Sequence, residues 1–368
     1  MEKIIKLPQT KYRLSSENCR VVYKDNSKYG WVCSMILPTC NYKIFNRLFL
    51  KTLDNIADVA PFITICLNLQ GEGFELDKIT EKFDKLGFSY RIAFNKYELS
   101  NGCPFNRIVD DTCLIAPENT LMFLRVDDDF VFHEKTVFNK RAPGEYYLSA
   151  IHYMITHPNC GTVASCRNNF VKQKRGLVGP VAEEYIFEED KPDKPYGNRN
   201  MSDFKDFVWT GQGFFLRNIK DNLLKLNIIN RTLPLDVVEK DWTFDGEDVL
   251  APLVRLANGY YIARAGFSLI EHLCTYSAHK EENGDPRKWS HIWEESEYGH
   301  WVRSILNLEY DRVLYSEFMV EPRLFKDNYR GLDLSSKKNC RKETIDYNQY
   351  SIERMVEEIE NYIINKLY

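Results

Sequence analysis

The chain has 368 residues, 44% of them hydrophobic and 28% charged, an ordinary balance for a folded protein with material for a large core. A formal net charge of −4 excludes the overall basic character of a polyanion-coating protein, leaving only local clusters at Lys172, Lys174 and Arg175 and at Lys337, Lys338, Arg341 and Lys342. No run approaches the ~20 apolar residues that span a bilayer, the N-terminal stretch MEKIIKLPQTKYRLSS lacks the apolar centre of a signal peptide, and the expected setting is cytoplasmic.

Taken in order, residues 1–30 are polar and mixed, with a short strand expected over Arg20 to Tyr23. A buried strand is predicted at Trp31 to Leu37, ended by Pro38 and Thr39. Ile44, Phe45, Leu48, Phe49, Leu53 and Ile56 then form a helical stripe that Thr39 or Asn41 can cap. A second buried strand follows at Phe62 to Leu69, then a glycine-punctuated loop and a helix over Leu76 to Leu86 stopped by Gly87. Tyr90 to Phe94 reads as a third strand. Alternating strands and helices of this kind predict an α/β fold with a parallel sheet, in which ligands bind outside the carboxyl ends of the strands.

A helix over Pro104 to Cys113 leads into the segment LMFLRVDDDFVFH, Leu121 to His133. Here an apolar strand runs into Asp127, Asp128 and Asp129 before apolar residues resume at Phe130. Carboxylates so crowded repel one another unless something neutralises them. A hard divalent cation, Mn²⁺ or Mg²⁺, does so and shares its coordination with substrate phosphates; the other reading is a solvated acidic turn. Tyr146 to Thr156 is a helix or a strand, Gly161 to Ser165 a strand, and 172–200 a charged, Pro- and Gly-containing loop, either a lid or a surface insertion. Phe207 to Arg217 is apolar and broken by Gly211 and Gly213 around Gln212. Asp245 caps a helix that runs to Ala257 and stops at Gly259. Strands are expected at Tyr260 to Ala265 and at Phe267 to Ile270, ending at Glu271 and His272. Helices close the chain at Trp293 to Leu308 and at Ile352 to Leu367, the last with a clear apolar stripe that must pack on the body or on a partner. Of the 10 cysteines, none forms a C-x-x-C pair, so neither a zinc ribbon nor a redox motif is indicated.

In order and separation these pieces resemble the family-2-like glycosyltransferases of the GT-A fold. The resemblance covers roughly residues 31 to 275 and rests on ILPTCNYKIFNRLFLKTLDNI, SNGCPFNRI, VDDDF, WTGQGFFLRN and DGEDVLAPLVRLANGY. It implies a GT-A type, Rossmann-like mixed sheet flanked by helices, with a C-terminal helical extension. The corresponding division is a glycosyltransferase domain at 1–290, with a nucleotide-sugar half at about 25–133 and an acceptor half at about 134–290, followed by the extension at 291–368. The implied activity is metal-dependent transfer of a sugar from a nucleotide sugar, a UDP-sugar by resemblance, to an acceptor hydroxyl.

By the same resemblance Asp127 and Asp129 form the Asp-x-Asp motif. Asp129 holds Mn²⁺ or Mg²⁺ directly, Asp127 contacts metal-bound water or the ribose, and His272 is a further metal or diphosphate ligand. A strand continuing through the run would turn Asp128 to the opposite side and leave it dispensable. Pro38 and Thr39 match the positions that contact the base. Asn68 falls near the position where the family carries an acidic residue, a departure that opens the identity of the base. Arg107 is placed to approach the diphosphate or ribose. Trp209, Gly211, Gln212 and Gly213 shape the acceptor side. Asp248 is the base of an inverting transfer, with Glu247 the runner-up. The acceptor stays open among glycan, protein, small molecule and modified DNA. Other readings are a DNA-modifying glycosyltransferase acting on a hydroxylated base, a sugar nucleotidyltransferase of the same fold, and a non-catalytic carbohydrate- or nucleic-acid-binding module.

Overall fold

The computed structural model describes residues 2–6, 18–39, 41–95, 112–128, 130–132, 143–164, 213–218, 260–264, 270–272, 314–317, 341–344 and 350–367, together with 109 and 255. The strands are β1 (Glu2–Lys6), β2 (Asn18–Lys24), β3 (Cys33–Thr39), β4 (Ile63–Gln70), β5 (Ser89–Asn95), β6 (Met122–Arg125), β7 (Phe130–Phe132), β8 (Cys160–Ala164), β9 (Phe214–Arg217), β10 (Tyr261–Arg264), β11 (Ile270–His272), β12 (Leu314–Glu317) and β13 (Arg341–Thr344). The helices are α1 (Tyr42–Phe45), α2 (Leu76–Leu86), α3 (Pro143–Thr156) and α4 (Ile352–Leu367).

Nine of the described strands form one sheet in the order β1-β2-β5-β4-β3-β6-β9-β8-β10. The stretch β5-β4-β3-β6 is parallel throughout. The pairs β1/β2, β2/β5, β6/β9 and β8/β9 are antiparallel, and β8/β10 is parallel. The sheet is therefore mixed, as expected. Counting the parallel strands from β3 in chain order gives 3-2-1-4, the order of a Rossmann half, with its topological switch between β3 and β6. β7 and β11 pair separately, as do β12 and β13.

Both faces of the central strands are covered, which is why β3 and β4 are buried at every position and read as unbroken apolar runs. β3 starts two residues later than predicted because Gly30–Val32 form a 3₁₀ turn ahead of it. The stripe from Ile44 to Ile56 is helical but not one α-helix: α1 passes into wider π turns at Asn46–Leu50 and then into 3₁₀ turns at Leu53–Phe62, which are interrupted at Ile56 and contain Pro61. Asn41 caps this stretch, its side chain accepting from the Ile44 amide at 3.1 Å. α2 ends as predicted, on Gly87 at φ +79°. Cys33, Cys66, Cys113 and Cys160 are buried and form no disulfide, and burial pushes Cys66 and Cys160 up to about 12.

α3 settles the helix-or-strand ambiguity. It lies between the 3₁₀ segment on one side and α4 on another, and Tyr146, Tyr147, Leu148, Ala150, Ile151, Tyr153, Met154 and Ile155 are all buried. A helix covered on so many sides shows no single apolar stripe. Its last carbonyls are met by Arg217 of β9, whose guanidinium donates to the carbonyl of Met154 and, at 3.1 Å, to that of His157.

α4 packs its stripe of Met355, Ile359 and Ile363 onto the body, against α3. Strands β12 and β13 fall within 291–368, so that stretch, expected to be helical, is not helical throughout. No described helix is long and apolar enough to cross a membrane.

The seam between α3 and α4 carries a partly buried polar contact, His152 Nε2 to Glu358 Oε2 at 2.6 Å, and Glu358 also accepts from Arg354 Nε at 2.8 Å. Burial holds His152 below its ordinary value against the upward pull of Glu358. Glu358 sits below its ordinary value because the hydrogen bonds from Arg354 and His152 outweigh its partial burial. As pH falls below 6.5 the unfolded chain takes up the histidine proton before the folded one does, so folding stability declines from there until pH passes below the folded-state value. The Glu358 contribution is lost separately, below 4.5. A plot of melting temperature against pH should thus decline from 6.5 downward, and His152→Gln should flatten that upper limb alone. An unchanged upper limb in the variant would show that His152 does not set it.

Candidate functional site

The site is built where the parallel strands end. Register places Pro38 opposite Asn68 and Thr39 opposite Leu69 on one side of β3, and Ile36 opposite Arg125 on the other. The Val126 amide continues this pairing by donating to the Ile36 carbonyl at 3.2 Å. Pro38, Thr39, Asn68 and the start of the aspartate run therefore share one edge of the sheet, as the sequence predicts.

Two side-chain contacts fix the acidic segment on that edge. Thr39 Oγ1 donates to Asp128 Oδ2 at 2.6 Å, across the switch between β3 and β6. Thr39 Oγ1 also accepts from the Asn41 amide at 3.2 Å, so the loop that caps α1 and the acidic turn are held by one hydroxyl. Arg125 is buried, and its guanidinium donates to Asp127 Oδ1 at 2.7 Å and to the Val126 carbonyl. Asp127, with its side chain 32% exposed, is thereby anchored at one oxygen while the residue remains open to solvent. The Phe130 amide approaches the Asp127 carbonyl at 3.4 Å, closing the turn that carries Asp128.

This arrangement corrects the reading of Asp128. β6 ends at Arg125, so strand alternation does not extend through the aspartates, and the Asp128 carboxylate joins the edge by bonding Thr39. A hydrogen bond to a charged acceptor contributes ~1.5–3 kcal/mol, so Asp128 has a structural task at the least.

β7 follows the turn and is held by Thr52 Oγ1, which accepts from the Phe132 amide at 3.1 Å, and by Asn55 Nδ2, which donates to the Phe132 carbonyl at 2.6 Å. In the β7/β11 pair His272 lies opposite Phe130, so its backbone is one register step from the aspartate run. β9 runs antiparallel to β6 with Phe214 opposite Arg125, which sets Gly213 level with Val126. Gly213 has φ +69°, a conformation that favours glycine, and a Cβ built on it would stand 3.0 Å from the Tyr147 hydroxyl. That hydroxyl is buried without a hydrogen-bond partner among the described residues. Left so, it costs ~1–3 kcal/mol.

The structure thus brings together Pro38, Thr39, Asn68, Asp127, Asp128 and Gly213, with the His272 backbone beside them. Arg107, Asp129, Trp209, Gly211, Gln212, Glu247 and Asp248 lie outside the described residues, as does the His272 side chain. Asn68 is buried, which suits a residue whose polar group is committed within the protein or to a bound base. Among the described residues no group of three or more His, Cys, Asp or Glu side chains forms a metal cluster. The donor chemistry present, adjacent carboxylates on a sheet edge, nonetheless suits a hard divalent cation. The sequence reading missed two residues. Arg125 could have been found as a lone charge inside an apolar strand next to the aspartates. Tyr147 carries no local sign of its position.

No protein-family model matches the chain, and no curated protein sequence does. Solved structures do. The chain is similar to TarS of S. aureus in complex with UDP, at 14% identity over 76% of this chain and 71% of that one, with a TM-score of 0.39. It is similar to the mannosyltransferase PcManGT of Pyrobaculum calidifontis in complex with GDP-Man and Mn²⁺, at 9% identity over 91% and 75%, TM-score 0.35. It is also similar to glucosyl-3-phosphoglycerate synthase of Mycobacterium tuberculosis in complex with Mg²⁺ and UDP, at 11% identity over 77% and 81%, TM-score 0.33. At such scores these likenesses assign no role to any residue of this chain; its mixed α/β fold stands on its own strand order and its switch-point edge.

Proposed function

We propose that the chain is a metal-dependent glycosyltransferase that moves a sugar from a nucleotide sugar, a UDP-sugar in the first instance, to an acceptor hydroxyl with inversion. The observation that carries this reading is the meeting of Thr39 and Asp128 at 2.6 Å across the topological switch, with Asp127 alongside. A switch point is where an open α/β sheet binds a nucleotide, and carboxylates gathered there suit the cation that accompanies a diphosphate.

In this reading Pro38, Thr39 and Asn68 face the nucleoside, and Arg107 approaches the diphosphate. Asp129 and His272 would hold Mn²⁺ or Mg²⁺, which neutralises charge on the departing diphosphate. The Arg125 contact favours an outer position for Asp127, toward the ribose or toward water of the metal, because one of its oxygens is already engaged. Trp209, Gly211, Gln212 and Gly213 line the acceptor side, and Asp248 takes the proton of the attacking hydroxyl. The buried Arg125 and the Thr39 hydroxyl keep the aspartate edge in place as the donor binds and the nucleotide leaves.

The test is a melting experiment with Mn²⁺ and a panel of UDP- and GDP-linked hexoses. A sugar nucleotide with Mn²⁺ is expected to raise the melting temperature more than either alone, and slow release of free sugar should follow. If no combination shifts the melting temperature, the reading fails.

A further inference from the structure

Strand β6 holds a single charged residue, Arg125, which is buried at the end of an otherwise apolar run. Its guanidinium turns along the chain and donates to the Val126 carbonyl and, at 2.7 Å, to Asp127 Oδ1. Burying a guanidinium is costly, and a buried ion pair is often no more stabilising than apolar residues of the same volume. Stability therefore does not account for an arginine at this position. Nor does placement of the carboxylates alone, because the neighbouring Asp128 is held by the neutral Thr39 hydroxyl at 2.6 Å. What a guanidinium adds to a hydroxyl is a fixed positive charge. Here that charge lies inside the acidic edge, against a carboxylate that remains open to solvent.

We propose that Arg125 is a positioning residue that makes binding of the divalent cation at the aspartate edge depend on the nucleotide diphosphate. The proposal rests on the glycosyltransferase reading and deepens it by stating how metal and donor regulate one another at the same site. In the ligand-free protein the guanidinium engages one oxygen of Asp127 and offsets its charge, so Mn²⁺ or Mg²⁺ alone meets a weakened acidic edge. A buried charge of this kind is poorly screened by salt. A diphosphate brings several negative charges to that edge and shares the coordination of the metal, which restores the attraction. Metal and nucleotide then bind with positive coupling, each raising the affinity of the other by the same factor.

The test follows Mn²⁺ binding to the ligand-free protein by the loss of the free-ion signal in electron paramagnetic resonance. Arg125→Met keeps an apolar stem of similar length and removes the charge. It is expected to bind Mn²⁺ alone about tenfold or more tightly than the native protein, a modest value for one charge near a protein surface. Arg125→Lys keeps the charge and should stay close to native. Adding Asp127→Asn to Arg125→Met should erase the gain, since the gain comes through the released carboxylate. Arg125→Gln carries the same expectation as Arg125→Met should the latter fail to fold. The Kd of UDP is then measured with and without Mn²⁺; the improvement given by the metal should be smaller in the uncharged variants than in the native protein. A purely structural arginine gives the opposite sign, because loosening the edge weakens Mn²⁺ binding. Uncharged variants that bind Mn²⁺ alone no more tightly than the native protein overturn the proposal and leave the glycosyltransferase reading standing. A native protein that binds UDP equally with and without Mn²⁺ overturns it without any variant. Failure of the native protein to bind any nucleoside diphosphate or sugar nucleotide overturns the glycosyltransferase reading, and this proposal with it.

Discussion

Asp129→Asn is expected to abolish Mn²⁺-supported binding of a sugar nucleotide and to lower transfer by about a thousandfold or more, ~4 kcal/mol of lost transition-state stabilisation. The substitution keeps size and shape and removes one negative charge, so little of the effect should come from misfolding. The measurement is the melting shift given by Mn²⁺ and a sugar nucleotide together, followed by the rate of sugar release. Asp128→Asn is the informative control. Its carboxylate accepts from Thr39 Oγ1 at 2.6 Å, and an amide oxygen can still accept there. The neutral bond is weaker by ~1 kcal/mol, so Asp128→Asn should lower stability modestly and leave metal-supported binding in place. Should the two variants behave the other way round, the metal contacts belong to Asp128 and the assignment of Asp129 is wrong. If both keep the Mn²⁺-dependent shift, no metal acts on this edge.

The contrast between those aspartates shows which parts of the molecule are legible from sequence. β4 and the Leu76–Leu86 helix with its Gly87 stop follow from local pattern, and the structure has them within a residue. The convergence of the strand ends also follows, because alternating strands and helices force a parallel arrangement and a common edge. The bond between Thr39 and Asp128 spans 89 residues, and nothing in either neighbourhood encodes it. The expectation that Asp128 turns away assumed that strand alternation continues, but β6 ends where the buried Arg125 turns its guanidinium onto Val126 and Asp127. α3 was ambiguous for the opposite reason: its periodicity is erased by burial on several sides, against the core and against α4. Strands β1, β12 and β13 were missed because short polar strands such as EKIIK and RKET lack the apolar run that marks a buried one. Tyr147 belongs to the same class as the Thr39–Asp128 contact. Its hydroxyl lies against Gly213, just ahead of the distant strand β9, a proximity that its own surroundings in the chain do not encode.

Asp248→Asn is expected to separate binding from chemistry. A general base contributes ~10²–10⁴-fold to a rate, so transfer should fall by that factor while the sugar nucleotide still binds with an unchanged Kd. Glu247→Gln, its neighbour in the same acidic pair, should leave most of the rate. The discriminating measurement is stereochemical and needs no knowledge of the acceptor. A single displacement, with a base on the face opposite the departing diphosphate, delivers the sugar with inverted configuration. Water standing in for the acceptor must obey the same geometry, so the anomer first released during slow hydrolysis, read by NMR before it equilibrates, should be opposite to that of the donor. Inversion together with loss of rate in Asp248→Asn fits a carboxylate that acts on the acceptor side only. Retention would mean that the sugar is not transferred by a single displacement from the face opposite the diphosphate. Asp248 would then lose its role as base even if its replacement is inactive, because an inactive variant alone cannot distinguish a proton acceptor from a helix cap.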